Sequence, residues 1–168
     1  MKKLFYILLL IICFGQSACE RDDICAETTP TTPLLIIKFY DADSPSDPKA
    51  PNNLAIVAEG SIPEDTGFTV SAGIDSIAIP LRTIEDVTTY SFIINSQEED
   101  DEPINVDDLV FTYIRDEEYV SKACGFRVIY DELLAELVPQ DDGSWIQNII
   151  IENPTVNDQV EAHISIFH

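Results

Sequence analysis

Residues 107–132, DDLVFTYIRDEEYVSKACGFRVIYDE, decide the fold class. Two apolar-rich arms, DDLVFTYIR and YVSKACGFRVIYDE, flank the acidic triplet Asp116-Glu117-Glu118, and the spacing predicts a β-hairpin that turns at this triplet. On the second arm Val120, Cys124, Phe126, Val128 and Tyr130 share one face, with Lys122 as the interloper. A strand has a side-chain period of two, so this pattern points Cys124 inward with its apolar neighbours.

The same reading extends to both sides. After the hairpin, LLAEL is open between a short helix and a continuing strand, and the strand reading is preferred. Asp142-Gly143 is a tight-turn signal leading into SWIQNIIIE, and Asn153-Pro154 starts another turn. In QVEAHISIFH, Val160, Ala162, Ile164 and Ile166 are expected to face inward, with Glu161, His163 and Ser165 toward solvent. Before the hairpin, LLIIKFYD reads as a first strand covered on both faces at its start, followed by LAIVAEG and a shorter GFTVSAG. In DSIAIPLRT, Ile77, Ile79 and Leu81 alternate, but Pro80 lacks a ladder donor and points to an edge strand or bulge. TTYSFIIN places Tyr90, Phe92 and Ile94 on one face.

Short strands separated by turn residues, with no sustained helical period, predict an all-β fold: an antiparallel immunoglobulin-like β-sandwich of eight or nine strands. A small closed barrel is the alternative. The expected organisation is a signal segment at 1–18, a tether at 19–33 that contains the proline- and threonine-rich AETTPTTP, and one domain at 34–168.

The segment 1–18 is set apart by its layout. Lys2-Lys3 precede the apolar run Leu4 to Phe14, and small, weakly polar residues follow, the plan of a secretory signal. As a helix this run would rise roughly 16 Å, about half the ~30 Å hydrocarbon thickness of a bilayer. Gln16-Ser17-Ala18-Cys19 resembles a bacterial lipobox, which implies that Cys19 is lipidated and becomes the mature N-terminus. Gln16 replaces the usual aliphatic residue, so ordinary cleavage after Ser17 or Ala18 is the alternative. The ERDDI that follows resembles the short charged signals that send Bacteroidota lipoproteins to the cell surface; a plain acidic tether has the same composition.

With Cys13 inside the signal and Cys19 assigned to lipid by that resemblance, Cys25 and Cys124 remain, and an exported chain with two thiols reads as one disulfide. A bridge closing about a hundred residues has a chain-entropy value of roughly 4.7 kcal/mol at the upper end. It would also shorten the free lead from about 50 Å, Cys19 to Leu34, to about 20 Å, Cys19 to Cys25.

The chain of 168 residues carries 31 acids against 9 bases, a net charge of −22, and 45% of it is hydrophobic. Removal of Lys2 and Lys3 with the signal leaves 7 bases against the same 31 acids, or −24. This charge excludes nucleic acid as an expected partner, while the hydrophobic content argues for a folded body. The acids cluster at Asp41, Asp43 and Asp47, at Glu98–Glu102, at Asp107-Asp108, at Asp116–Glu118 and at Asp141-Asp142, and all are read as turns. Solvated loops are the preferred reading of these clusters. Calcium is the alternative, although DADSPSD lacks the central glycine and distal glutamate of a helix-loop-helix site.

No GxSxG, HExxH, phosphate loop or paired CxxC is present, so neither an enzyme nor a cofactor is expected. His163 reads as a surface histidine and His168 as a fraying terminus. Trp145, Tyr40, Tyr90, Tyr113, Tyr119 and Tyr130 are assigned to core and cross-strand packing in preference to a carbohydrate platform. Paired carboxylates for a hydrolase cannot be picked out among so many acids.

CERDDIC, TTPLLIIKFYD and YVSKACGFRVIYDEL together resemble a family of small Bacteroidota lipoproteins with a domain of unknown function (family 6452). The resemblance covers nearly all of the chain after the signal. It implies a lipid anchor in the outer membrane, with the face left open, and no reaction, cofactor or catalytic residue. The expected function is a non-catalytic binding or accessory module whose partner is the membrane through Cys19 together with an unspecified protein or glycan.

Overall fold

The computed structural model describes residues 24–59, 68–69, 73–97, 103–140 and 143–168. Among them are nine strands and no helix: β1 Leu35–Tyr40, β2 Ala55–Ala58, β3 Phe68–Thr69, β4 Ser76–Ile79, β5 Val87–Ile94, β6 Asn105–Ser121, β7 Gly125–Leu137, β8 Asn148–Ile151 and β9 Ile164–Phe167. They form a four-stranded sheet in the order β4-β1-β9-β8 and a five-stranded sheet in the order β3-β2-β5-β6-β7. All pairings are antiparallel except β1 with β9. The alternation read from the sequence supplies the inner faces: Leu35, Ile37 and Phe39 from β1 and Ile164 and Ile166 from β9 join Ile56, Tyr90, Phe92, Leu109 and Phe111 of the other sheet in one buried core. The fold is therefore a β-sandwich rather than a closed barrel. β4 is an edge strand, one of the two arrangements to which Pro80 points, and LLAEL continues β7.

Where the chain crosses between sheets, three tyrosines hold it. After β4 it leaves the four-stranded sheet through Pro80-Leu81-Arg82 and enters the other at β5. Crossing near the core exposes three successive carbonyls to an apolar interior, where unmet acceptors cost about 1–3 kcal/mol each. Tyr90 of β5 donates to Pro80 O at 2.7 Å, Tyr130 of β7 to Leu81 O at 3.1 Å and Tyr113 of β6 to Arg82 O at 3.1 Å. Thr88 Oγ1 lies 2.6 Å from the Tyr113 hydroxyl and accepts the Arg82 amide at 2.9 Å. Burial pushes the Tyr90 and Tyr130 hydroxyls up to about 12, so they remain protonated donors. These residues pack in the core, as does Trp145, whose indole donates to Phe92 O at 3.2 Å.

The last strand departs from its expected form. It begins at Ile164, not near Gln159, and Val160 is exposed. His163 is only 1% exposed rather than on a solvent face. The reason is that β9 lies between β1 and β8, so both of its edges are occupied. Immediately before it, His163 exchanges two bonds with one residue of β1: its Nδ1 accepts the Ile36 amide at 3.0 Å and its own amide donates to Ile36 O at 2.9 Å. Ser165 is buried as well, with its hydroxyl donating to Glu152. His168 does not fray. Its amide bonds Tyr40 O, its carbonyl accepts Lys49 Nζ, and its ring meets Phe39 and Trp145 edge to face.

Burial holds the His163 imidazole below its ordinary value of 6.5, with partial opposition from the Asp158 carboxylate. An unfolded chain takes up this proton near 6.5, whereas the folded chain resists it and would lose the acceptor for Ile36. Stability is therefore full above 6.5 and falls as the pH drops toward the depressed folded value. Urea midpoints at pH 5 and pH 7 should differ in the wild type. In His163→Asn, whose side-chain oxygen can accept the same amide, the difference should shrink to what His168, also held low by burial, contributes. An undiminished difference in the variant would refute this assignment.

Candidate functional site

The feature that stands apart from the sandwich is the outer half of the β6–β7 hairpin. β5 pairs with β6 only from Asn105 to Thr112, and beyond that point β6 has β7 alone as its ladder partner. A register shift follows Thr112, where Glu132 and Leu133 of β7 stand opposite the single residue Tyr113 of β6, and Glu132 takes a φ of +53°. Such a bulge increases the twist and re-aims the ribbon beyond it. Arg115 fixes the base of this arm, its Nε on Asp86 at 2.6 Å and its Nη1 on Thr83 O at 2.9 Å.

The arm turns at Lys122-Ala123-Cys124, not at Asp116-Glu117-Glu118. The acids continue β6, facing solvent where no second sheet excludes water, and Glu118 is bonded across the ladder by Arg127 at 2.5 Å. The turn itself is made by local chemistry: Ser121 Oγ accepts the Cys124 amide at 3.1 Å, and Gly125 takes the φ of +73° that ends a three-residue loop. Cys124 thus sits in the turn rather than inward on a strand. The acidic pair Asp107-Asp108 is likewise within β6, with Asp107 fully buried and accepting the Ile146 amide at 2.8 Å.

Cys124 is bonded to Cys25, with 4.9 Å between their Cα atoms and a sequence separation of 99. This is the pairing expected from the cysteine count. The lead that follows Cys25 runs beside the arm: the Thr29 hydroxyl lies 3.6 Å from Cys124 Sγ, Thr32 Oγ1 accepts the Val128 amide at 3.1 Å, and the Leu34 amide reaches Gln159 at 2.8 Å. Val156 bridges Tyr130, and Arg127 donates to Asn157 O at 3.1 Å, so the outer edge of β7 is partly covered from two directions. This cover protects an edge that would otherwise invite pairing with another chain. Cys19 lies outside the described residues.

Between lead and arm is a depression of about 400 Å³ lined by Ile24, Ala26 and Thr29 on one side and Tyr119, Lys122 and Cys124 on the other. Tyr119 pairs directly across the ladder with Phe126, their rings edge to face with centroids 5.3 Å apart. The register Tyr119↔Phe126, Glu117↔Val128, Arg115↔Tyr130 puts this pair on the face that buries Tyr130. The opposing sheet does not extend so far, which leaves Tyr119 59% and Phe126 64% exposed; Ile24 at the start of the lead is 83% exposed. Phe126 therefore corrects the expectation of a covered strand face. The lining combines aromatic and aliphatic area with the Thr29 and Ser121 hydroxyls and the Lys122 ammonium.

Other candidates from the sequence are dispersed. Asp41 accepts the amides of Asp43 and Ser44 and pairs with Lys49 at 3.1 Å; this hydrogen bonding, Lys49 foremost, holds its carboxyl below the usual range. Glu98–Glu102 and Asp141-Asp142 fall outside the described residues. Among the described residues no three histidine, cysteine, aspartate or glutamate side chains gather as a metal centre would require. A second recess of about 410 Å³ lies along Pro80–Glu85 beside the tyrosine crossing.

No curated protein matches the chain, and no solved structure does. A family model matches residues 53–168, from the turn before β2 through all of β9, and includes the whole hairpin arm while stopping short of β1 and Cys25. Since this is more than half of the sequence, the chain belongs to the family of unknown function DUF6452.

Proposed function

We propose that the protein is a lipid-anchored β-sandwich lipoprotein of the outer membrane, carried on Cys19 and acting as a non-catalytic binding or accessory module for a protein or glycan of the cell envelope. The observation that carries this reading is the Cys25–Cys124 bond, because such bonds persist in oxidising compartments and are rare in the cytosol. It fits the secretory layout of residues 1–18 and the lipobox-like Gln16–Cys19. Each buried methylene of an acyl chain adds about 0.8 kcal/mol and two chains suffice for stable anchoring. A chain acylated at Cys19 would thus stay on its membrane.

The test is metabolic labelling with radioactive palmitate followed by detergent-phase partition of the full chain. The wild type should carry label and enter the detergent phase, and Cys19→Ser should carry none. A wild-type chain that is unlabelled and stays in the aqueous phase would overturn the reading.

A further inference from the structure

We propose that the tip of the hairpin arm is a second membrane contact, with Tyr119 and Phe126 seated at the headgroup boundary of a zwitterionic lipid surface. This rests on the anchored reading above. The first observation is placement. The disulfide fixes the lead to the turn, Cys124 beside Cys25, and Cys25 lies only six positions after Cys19. Fully extended, this stretch reaches about 20 Å, less than the ~30 Å core of a bilayer. Of all parts of the domain, the turn is therefore the one tied nearest to the acyl chains, and the exposed pair lies two and five residues from Cys124.

The second observation is chemical. Tyrosine and other amphipathic aromatics favour the membrane–water boundary, where a ring meets the acyl region and a polar end stays wet. Tyr119 and Ile24 supply exposed apolar area on the two sides of one depression, and the exposed Phe126 ring adjoins Tyr119 across the ladder. The third observation is charge. In a chain of net charge −22, the eight residues Tyr119–Phe126, YVSKACGF, contain no carboxylate and one lysine. Glu118, the residue before this stretch, is paired with Arg127, and Asp22, Asp23 and Glu27 of the lead, near Cys25 in sequence, set the tip further against an anionic surface. Lys122 can lay its stem on the apolar surface and place its ammonium against lipid phosphate. The chain as a whole would be repelled by an anionic surface, which commits the proposal to zwitterionic lipid.

The full lipidated chain, reconstituted in phosphatidylcholine vesicles, tests this with Phe126→Trp and, as a control, Leu134→Trp. Leu134 is also exposed, but lies eight residues further along β7, about 26 Å away. Trp145, the only native tryptophan, is buried and gives the background. Interfacial side chains sit about 5–10 Å into the headgroup and acyl boundary, so lipids brominated on the upper acyl chain should quench Phe126→Trp on the order of twofold. Wild type and Leu134→Trp should be little changed. Tyr119→Trp, on the partner strand, should behave as Phe126→Trp and guards against a fold defect in one variant. Flotation with the vesicles without quenching at either tip position, or equal quenching at position 134, would overturn the membrane contact alone. Failure to float would overturn both the contact and the anchor.

Discussion

Tyr130→Ala is expected to destabilise the sandwich by about 5 kcal/mol, whereas Tyr130→Phe should cost only about 1–2 kcal/mol. Tyr130 is fully buried, its ring meets Tyr113 edge to face at 4.9 Å, and its hydroxyl donates to Leu81 O where the chain crosses between sheets. Deleting a buried ring removes its transfer energy and leaves a cavity, about 3–5 kcal/mol, and the stranded carbonyl adds to that. The phenylalanine variant keeps the ring and loses the donor alone. Urea unfolding followed through Trp145 would measure both. In a domain of this size each kcal/mol lowers the melting temperature by about 2–4 °C, so the alanine variant should melt roughly 10–20 °C lower. Equal losses from the two substitutions would contradict this partition between ring and hydroxyl.

Removal of the Cys25–Cys124 bond should cost about 3 kcal/mol and leave the sandwich folded. A loop of about a hundred residues gives about 4.7 kcal/mol in the unfolded-chain model. Part of this returns, because the lead beside the arm is held by few hydrogen bonds and regains freedom in the native state once released. The core draws on strands from Leu35 onward, none of which contains Cys25. The double variant Cys25→Ala/Cys124→Ala should therefore show a lower urea midpoint and an unchanged circular-dichroism spectrum. An unchanged midpoint would mean that the bridge constrains nothing.

Most strands were legible because period-two alternation is a local signal, and LLIIKFYD, TTYSFIIN and GFRVIYDELLAEL each carry it. What alternation does not say is what lies over each face. Tyr119 and Phe126 continue the pattern of Tyr130, yet the sheet that covers Tyr130 ends before it reaches them, a fact held in distant strands. His163 failed for a related reason: its partner Ile36 is 127 residues away, and no local window contains that parallel pairing. The misplaced turn had a readable cue. Gly125, in a position that requires a positive φ, is a stronger turn signal than a run of acids, which an exposed ribbon accommodates.

The parallel seating of β9 beside β1 also orders events during folding. Because Ile37 aligns with Ile164 and Tyr40 with Phe167, β1 gains this neighbour only by closing a loop of roughly 127 residues. Until then the first strand can engage only β4, and half of the layered core has no lid. Pairings of such long range fold slowly and leave sticky intermediates, so an unfolded copy should be prone to self-association before β9 is seated.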